Sequence, residues 1–198
     1  MKKRIYILAN KYPNMVEPNV CVFIQSLVWS FADYGFDCKV ICPMPINLNL
    51  KFYKFPKIRS EKNDNGKEIK IYHPKYLSLG QSGSFLQKIR VKFTTWRYTK
   101  AVDKILKKEK ITSNDILYSH FICPSGVSVA KLGKKYNVKS FMAHGEAIYR
   151  GDIKYGNKYL KKIFKSLTGV VAVSTQNKDY LIDAEVVEPK KIGIFPNG

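Results

Sequence analysis

The chain of 198 residues is 45% hydrophobic and 13% aromatic, enough apolar material for one sizeable core, which excludes a disordered polypeptide. Its 35 Lys and Arg against 15 Asp and Glu give a net charge of +20, with arginine confined to Arg4, Arg59, Arg90, Arg97 and Arg150. Two readings of that lysine-borne charge stand: codon drift in an A+T-rich genome, or a basic surface that meets phosphate on nucleic acid or anionic lipid.

Cys21, Cys38, Cys42 and Cys123 lack the dense even spacing of a disulfide framework and the paired C-x-x-C of a zinc knuckle, so a reducing, cytoplasmic setting is expected. The apolar run in MKKRIYILANKYPN is shorter than the roughly 7 to 15 residues of a secretion signal. No stretch approaches the roughly 20 apolar residues that span a bilayer.

In chain order, RIYILA (4–9) is a buried strand, and VFIQSLVWSFADYG (22–35) sets Phe23, Ile24, Leu27, Val28 and Phe31 at helical spacing, with Gly35 as its stop. CKVIC (38–42) is a second strand whose Cys38 and Cys42 share a face, which suits packing better than metal binding. Residues 43–68 read as irregular, with EKNDNGKE (61–68) as the turn before a third strand, EIKIYH (68–73). After a loop with Gly80 and Gly83, residues 85–108 form a long helix with Ile89, Phe93 and Trp96 along one face, a stripe expected in the core. DILYSH (115–120) is a fourth strand, PSGVSVAKLGKKY (124–136) a helix that tolerates Pro124 in its first turn, and VKSFMA (138–143) a fifth strand. A lysine-rich helix over 157–167, a strand GVVAVS (169–174), a helix capped by Ser174 and ending at Ile182, and a strand KIGIF (191–195) complete the chain.

Strands alternate with helices and are mostly continuous apolar runs, as strands buried on both faces are. The fold expected is α/β: a doubly wound, Rossmann-like parallel sheet of about seven strands in the order 3-2-1-4-5-6. Strands one and four then flank the topological switch point, where ligands bind at the strands' C-terminal ends. NKYPNMVEPNVC, HFICPSG and HGEAIYRGD open there, placing His120 and His144 at the crevice. Tyr12, Asn14 and Glu17 in the first of these loops offer hydrogen bonds to a substrate hydroxyl, against the plainer reading of a solvated loop. His73 in YHPKY reads as structural. The chain lacks G-x-G-x-x-G, G-x-x-x-x-G-K-[ST], G-x-S-x-G and D-x-D, so neither a dinucleotide cofactor nor a metal is indicated.

ANKYPNMVEPNVCVFIQSLVWSFADYGFDCKVICP, SHFICPSGVSVAKLGKKYNVKSFMAHGEAI, GVVAVSTQNKDYL and KIGIFPNG, in that order, resemble the N-terminal domain of GT-B glycosyltransferases of the family-4 type, which build capsular polysaccharide, exopolysaccharide and lipopolysaccharide. His144 and Gly145 fall on the H-G of the family's H-G-x-D motif. Its acidic residue falls on Ala147 with Glu146 beside it, so the hydrogen bond it makes is lost or moved by one residue. Where the family has a glycine-bearing loop after strand one, the aligned residues are Val20, Cys21 and Val22.

The resemblance implies a retaining transfer from a nucleotide-sugar to a growing polysaccharide or lipid-linked glycan. His144 would act at the reacting face, and His120, Gly145, Glu146 and Cys21 would join Tyr12, Asn14 and Glu17 in substrate binding. It also implies a nucleotide-sugar domain after Pro196-Asn197-Gly198, so that residues 1–198 are the acceptor side alone and inactive in isolation. The lysines among aromatic residues over 85–108 and 154–165 suggest peripheral attachment to an anionic inner membrane face. The alternatives are a basic nucleic-acid-binding module, disfavoured by scarce arginine and the lack of a known motif, and a free-standing nucleotide-binding domain.

Overall fold

The computed structural model describes residues 3–47, 55–79 and 86–196. Gly80, Gly83, Phe85, Asn197 and Gly198, invoked above, lie outside the described residues. The strands are β1 (Arg4–Leu8), β2 (Asp37–Ile41), β3 (Met44–Pro45), β4 (Ile58–Lys62), β5 (Glu68–Tyr72), β6 (Lys75–Tyr76), β7 (Ile116–His120), β8 (Lys139–His144), β9 (Gly169–Ala172) and β10 (Ile192–Ile194). The helices are α1 (Val22–Asp33), α2 (Gln87–Lys108), α3 (Val127–Tyr136), α4 (Gly151–Lys154), α5 (Asn157–Phe164) and α6 (Thr175–Asp183).

Among the described residues eight strands form one sheet in the order β10-β9-β8-β7-β1-β2-β5-β4, and β3 pairs with β6 separately. β1 is central, with Ile7 opposite Val40 of β2 on one side and Tyr118 of β7 on the other. The chain winds outward from β1 through β2 and β5, then returns to β7 and winds the other way, so the switch point lies between β1 and β7 as expected.

Successive side chains of β1 enter opposite cores. Tyr6 and Leu8 pack with Val102, Leu132 and Phe164 under α2, α3 and α5, whereas Ile5, Ile7 and Ala9 pack with Ile24 and Val28 of α1. Because both faces are covered, no polar alternation is tolerated and the strand reads as an unbroken apolar run. Cys38 and Cys42 share the α1 side, and all four cysteines are free thiols. Gly35 ends α1 with φ 91°, and Phe36 N–H returns to Phe31 O at 3.1 Å, closing the orphan carbonyls. Ser174 caps α6 by accepting a hydrogen bond from Asn177 N–H at 3.1 Å.

Two expectations change. Residues 58–62 are an antiparallel strand, β4, paired with β5 from Ile58 opposite Tyr72 to Lys62 opposite Glu68. None of its side chains is fully buried, so it carries no apolar period to read. Ile89, Phe93 and Trp96 do share a face of α2, but that face is outward. The core side is Val91, Thr94, Thr95, Tyr98, Ala101, Val102 and Leu106. Thr95 can be buried there because its hydroxyl donates to Val91 O at 2.8 Å. Among the described residues no helix is long and apolar enough to cross a membrane.

β4 is held by one carboxylate. Glu61 accepts hydrogen bonds from Tyr12 Oη at 2.5 Å, Trp29 Nε1 at 3.1 Å and Gln25 Nε2 at 3.3 Å, and pairs with Arg59 at 3.1 Å. It thereby joins β4 to α1 and to the loop after β1. Glu61→Ala leaves the fully buried Tyr12 hydroxyl and the Trp29 indole unpaired, and is expected to destabilise the fold by about 3 kcal/mol in urea unfolding, with Glu61→Gln costing less.

Candidate functional site

The C-terminal ends of the central strands are fastened to one another by side chains. At the end of β1, Asn10 donates from Nδ2 to Cys123 O at 2.8 Å and accepts from Ser125 N–H at 3.2 Å, reaching the wide helical turn 122–126 that leads from β7 into α3. At the end of β8, Glu146 accepts the Ile122 amide at 2.8 Å on one oxygen and the Nδ1–H of His144 on the other. Its backbone carbonyl accepts from Asn177 Nδ2 at 2.8 Å, bringing in the start of α6 after β9. Orphan amides at the strand ends are thus satisfied by Asn and Glu side chains instead of by ladder bonds.

The carboxylate bond fixes the His144 tautomer. With Nδ1–H given to Glu146, the neutral ring presents Nε2 as an acceptor, and that atom is buried without a partner among the described residues. His120, one strand away, is 2% exposed, and both its ring nitrogens are buried without a partner among the described residues. Its ring lies against Phe23 at 5.1 Å, Phe121 at 5.4 Å and Tyr118 at 5.9 Å. Burial in that aromatic surround lowers its pKa to about 4, with the Glu146 charge opposing the shift. Unpaired imidazole nitrogens at two adjacent strand ends are the kind of buried polar group that calls for a ligand or a strain account.

Strain is present in the same place. After Phe121 N–H makes a last ladder bond to Ala143 O at 2.8 Å, Phe121 turns with φ 71° and ψ 156°, a region otherwise nearly confined to glycine. The following Cys123-Pro124 peptide is cis. Between the β7 and β8 exits opens a cavity of about 420 Å³ lined by Phe121, Ile122, Cys123, Gly145, Glu146 and Arg150, with Lys154 at its margin. Neither Arg150 nor Lys154 forms an ion pair among the described residues, so the mouth brings two cationic side chains near the single carboxylate of Glu146. The Cys123 thiol, with Tyr155 Oη at 3.0 Å, is raised in pKa by burial and stays protonated at neutral pH. Among the described residues no three His, Cys, Asp or Glu side chains converge as a metal site.

Gly145 and Glu146 line this mouth, whereas His144 and His120, 0% and 2% exposed, are not among its lining residues and reach it only through the Glu146 carboxylate that holds His144. The first loop is engaged elsewhere. Tyr12 is fully buried and gives its hydroxyl to Glu61. Asn14 accepts the amides of Val16 at 2.9 Å and Glu17 at 3.0 Å and donates to Tyr12 O, an internal turn. Glu17 pairs with Lys11 at 3.2 Å on the surface.

Cys21 has φ 50°, so the left-handed conformation that glycine adopts freely is kept by a cysteine at the start of α1. Gly145 has a packing reason for being glycine, since a Cβ there would lie 3.2 Å from both methyls of Val173. His73 is structural as expected, donating from Nδ1 to Cys42 O and accepting from Arg59 Nε. Asn10, Asn177, Arg150 and Lys154 were not singled out from the sequence. Asn10 directly after the first strand and Asn177 three residues after the Ser174 cap were the available signals.

Two measurements check this geometry. Phe121→Ala keeps the positive φ while Phe121→Gly relieves it, so the glycine variant is expected to be about 1 kcal/mol more stable than the alanine one, opposite to their usual order. Burial holds both His73 and His120 near pKa 4, below the ordinary 6.5 that the unfolded chain retains. The unfolded state therefore takes up protons first: stability is complete above about pH 6.5 and falls between about 6.5 and 4, by up to about 3 kcal/mol per ring. Urea midpoints across that range should flatten in His120→Phe.

No family model and no curated protein matches the chain. Solved structures do. A glycosyltransferase from Rickettsia africae ESF-5 aligns over 100% of this chain and 43% of its own, at 18% identity and TM-score 0.57. The UDP-GlcNAc 2-epimerase of Methanocaldococcus jannaschii aligns over 98% and 45%, at 18% identity and TM-score 0.54. Alr3699/HepE from Anabaena, solved with UDP and glucose, aligns over 100% and 45%, at 11% identity and TM-score 0.54. The chain spans less than half the length of each of these structures. At such identities the likeness is one of fold, and the fold matches the Rossmann-like domains of GT-B proteins.

Proposed function

We propose that residues 1–198 are the N-terminal, acceptor-side domain of a retaining glycosyltransferase that moves a sugar from a nucleotide-sugar to a polysaccharide or lipid-linked glycan. The observation that carries this reading is the buried imidazole of His144 held by Glu146, whose carboxylate lines a mouth with Arg150 and Lys154 at the β7 and β8 exits, one strand from the switch point of a GT-B-like sheet. His144 Nε2 would accept a hydrogen bond from a hydroxyl of the reacting sugar, with Glu146 holding the ring in that tautomer. Arg150 and Lys154 would face the negative charge that builds on a departing diphosphate. The leaving phosphate would take the acceptor's proton, as suits retention without a protein base. The nucleotide itself would be held by a second domain following this one, and His120 would complete the wall beside the sugar.

Expressed with that second domain, the enzyme should transfer sugar from one of the UDP-, GDP- or dTDP-sugars with the anomeric configuration preserved, read by NMR of the product. His144→Ala should lower turnover about 10² to 10³-fold, by analogy with lost oxyanion donors, and Glu146→Gln by less. The isolated 198-residue chain should transfer nothing and bind nucleotide-sugars feebly by calorimetry. Micromolar binding to the isolated chain would move the nucleotide site into this domain. The fold shared with a UDP-GlcNAc 2-epimerase supports a second reading, which wins if UDP-GlcNAc is epimerised without an acceptor.

A further inference from the structure

Away from the His144 site, the edge strands and α2 enclose a second concave surface. A groove of about 430 Å³ between α2 and the β5–β6 connection is walled by Lys57, Lys75, Arg97, Lys100, Lys104 and Lys108, with no carboxylate among its lining residues. The four cations from α2 recur three and four residues apart, so they form one line of about 16 Å at 1.5 Å per residue. Lys57, just before β4, and Lys75 of β6 face them from the other wall. The acids that could neutralise this line are committed elsewhere: Asp103, the one acid of α2, to Lys107, Lys135 and Tyr136, and Glu109 to Lys39, Lys70 and Tyr72. Among the described residues Lys57, Arg97, Lys100, Lys104 and Lys108 enter no ion pair. Between the walls the floor is apolar and open, with Ile58 43% exposed and Pro74, Ala101 and Ile105 beside it.

Cations facing one another across a groove repel, and the ligand that relieves a whole line of them is an anion whose charges repeat along a chain. Nucleic acid would want an open ring for its bases to stack on, and arginine forks for its phosphates. Here five of the six cations are lysine, and Tyr76, the one aromatic residue of the lining, stands edge-on to Tyr98 at 5.8 Å. Ammonium groups are point charges that accept carboxylate or phosphate without a fixed orientation, and an apolar floor suits the C–H faces of sugar rings. Tyr98 Oη donates to Ala9 O at the exit of β1, so the Arg97 end of the groove is level with the strand ends where the site lies. We propose that this groove binds an acidic glycan, a sugar chain bearing carboxylate or phosphodiester groups at regular intervals, and that it holds the part of the acceptor remote from the reacting end. The proposal rests on the reading of a glycan acceptor and narrows it to acidic chains.

The experiment is calorimetric titration of the 198-residue chain at low salt with four probes: hexagalacturonate, its methyl ester, a hexamer of ribitol phosphate, and hexauridylate. No donor is present and no transfer is read, so an inactive transferase would leave the result standing. Hexagalacturonate or the ribitol phosphate hexamer, according to whether carboxylate or phosphodiester is preferred, is expected to bind about ten times more tightly than the uncharged ester and than hexauridylate, and to weaken with salt. Lys100→Gln with Lys104→Gln should lower that affinity about tenfold, as should Arg97→Gln with Lys108→Gln. Lys134→Gln with Lys139→Gln, the same loss of charge on α3 and β8, should change it less than about twofold. Failure of both acidic glycans to bind would overturn the proposal. So would hexauridylate binding as tightly as either, or groove variants no weaker than the Lys134→Gln/Lys139→Gln control. Transfer by the two-domain enzyme to neutral acceptors alone would overturn it too, while leaving the transferase reading intact.

Discussion

Parallel strands that all end on one side of a sheet leave a row of backbone amides whose ladder partners have run out, and closing that row is the constraint on which the rest of this molecule depends. Glu146 is the central closure. Its two oxygens take the Ile122 amide and the His144 ring, and its carbonyl takes Asn177, so one residue connects the exits of β7, β8 and β9. Asn10 extends the closure to β1 through Cys123 and Ser125. The contacts that finish the sheet are therefore the ones that orient the imidazole, and the strained Phe121 turn sits between them. A site built this way is preorganised because its supports are also the fold's own end caps.

Several of the acidic residues join one element to another. Glu61 is occupied under β4, Asp115 receives the Arg4 guanidinium at 2.7 Å, Glu109 pairs with Lys39 at 2.7 Å, and Asp103 and Glu146 face inward. Other acids, among them Asp64, Asp152, Asp179, Glu185 and Glu188, stand exposed, and Glu185 and Glu188 pair with Lys161 and Lys190 at the surface.

Periodicity made the central strands legible because both of their faces are buried, and it made the shared face of Ile89, Phe93 and Trp96 legible as well. It does not say which way a face points. The direction of α2 is set by Thr94, Thr95 and Tyr98, whose polar atoms find partners inside, including Tyr98 Oη to Ala9 O at 3.0 Å. β4 could not be read, since its order comes from Glu61 and its partner strand instead of from its own apolar residues. At the site, the His144–Glu146 pair is two residues apart and visible locally. The bonds that complete the site, such as Asn10 to Ser125, 115 residues apart, exist only once the strands lie side by side.

β4 has a further consequence for how the molecule behaves towards its own copies. A parallel sheet would otherwise present β5, with its apolar Ile69 and Ile71, as an open template for another chain's backbone. Instead the terminal position is taken by a short strand bearing Arg59, Glu61 and Lys62, and the opposite terminus, β10, offers only three residues before Pro196. Both ends of the ladder are thus poor seeds for intermolecular pairing, which keeps a lysine-rich, β-centred protein from polymerising strand to strand.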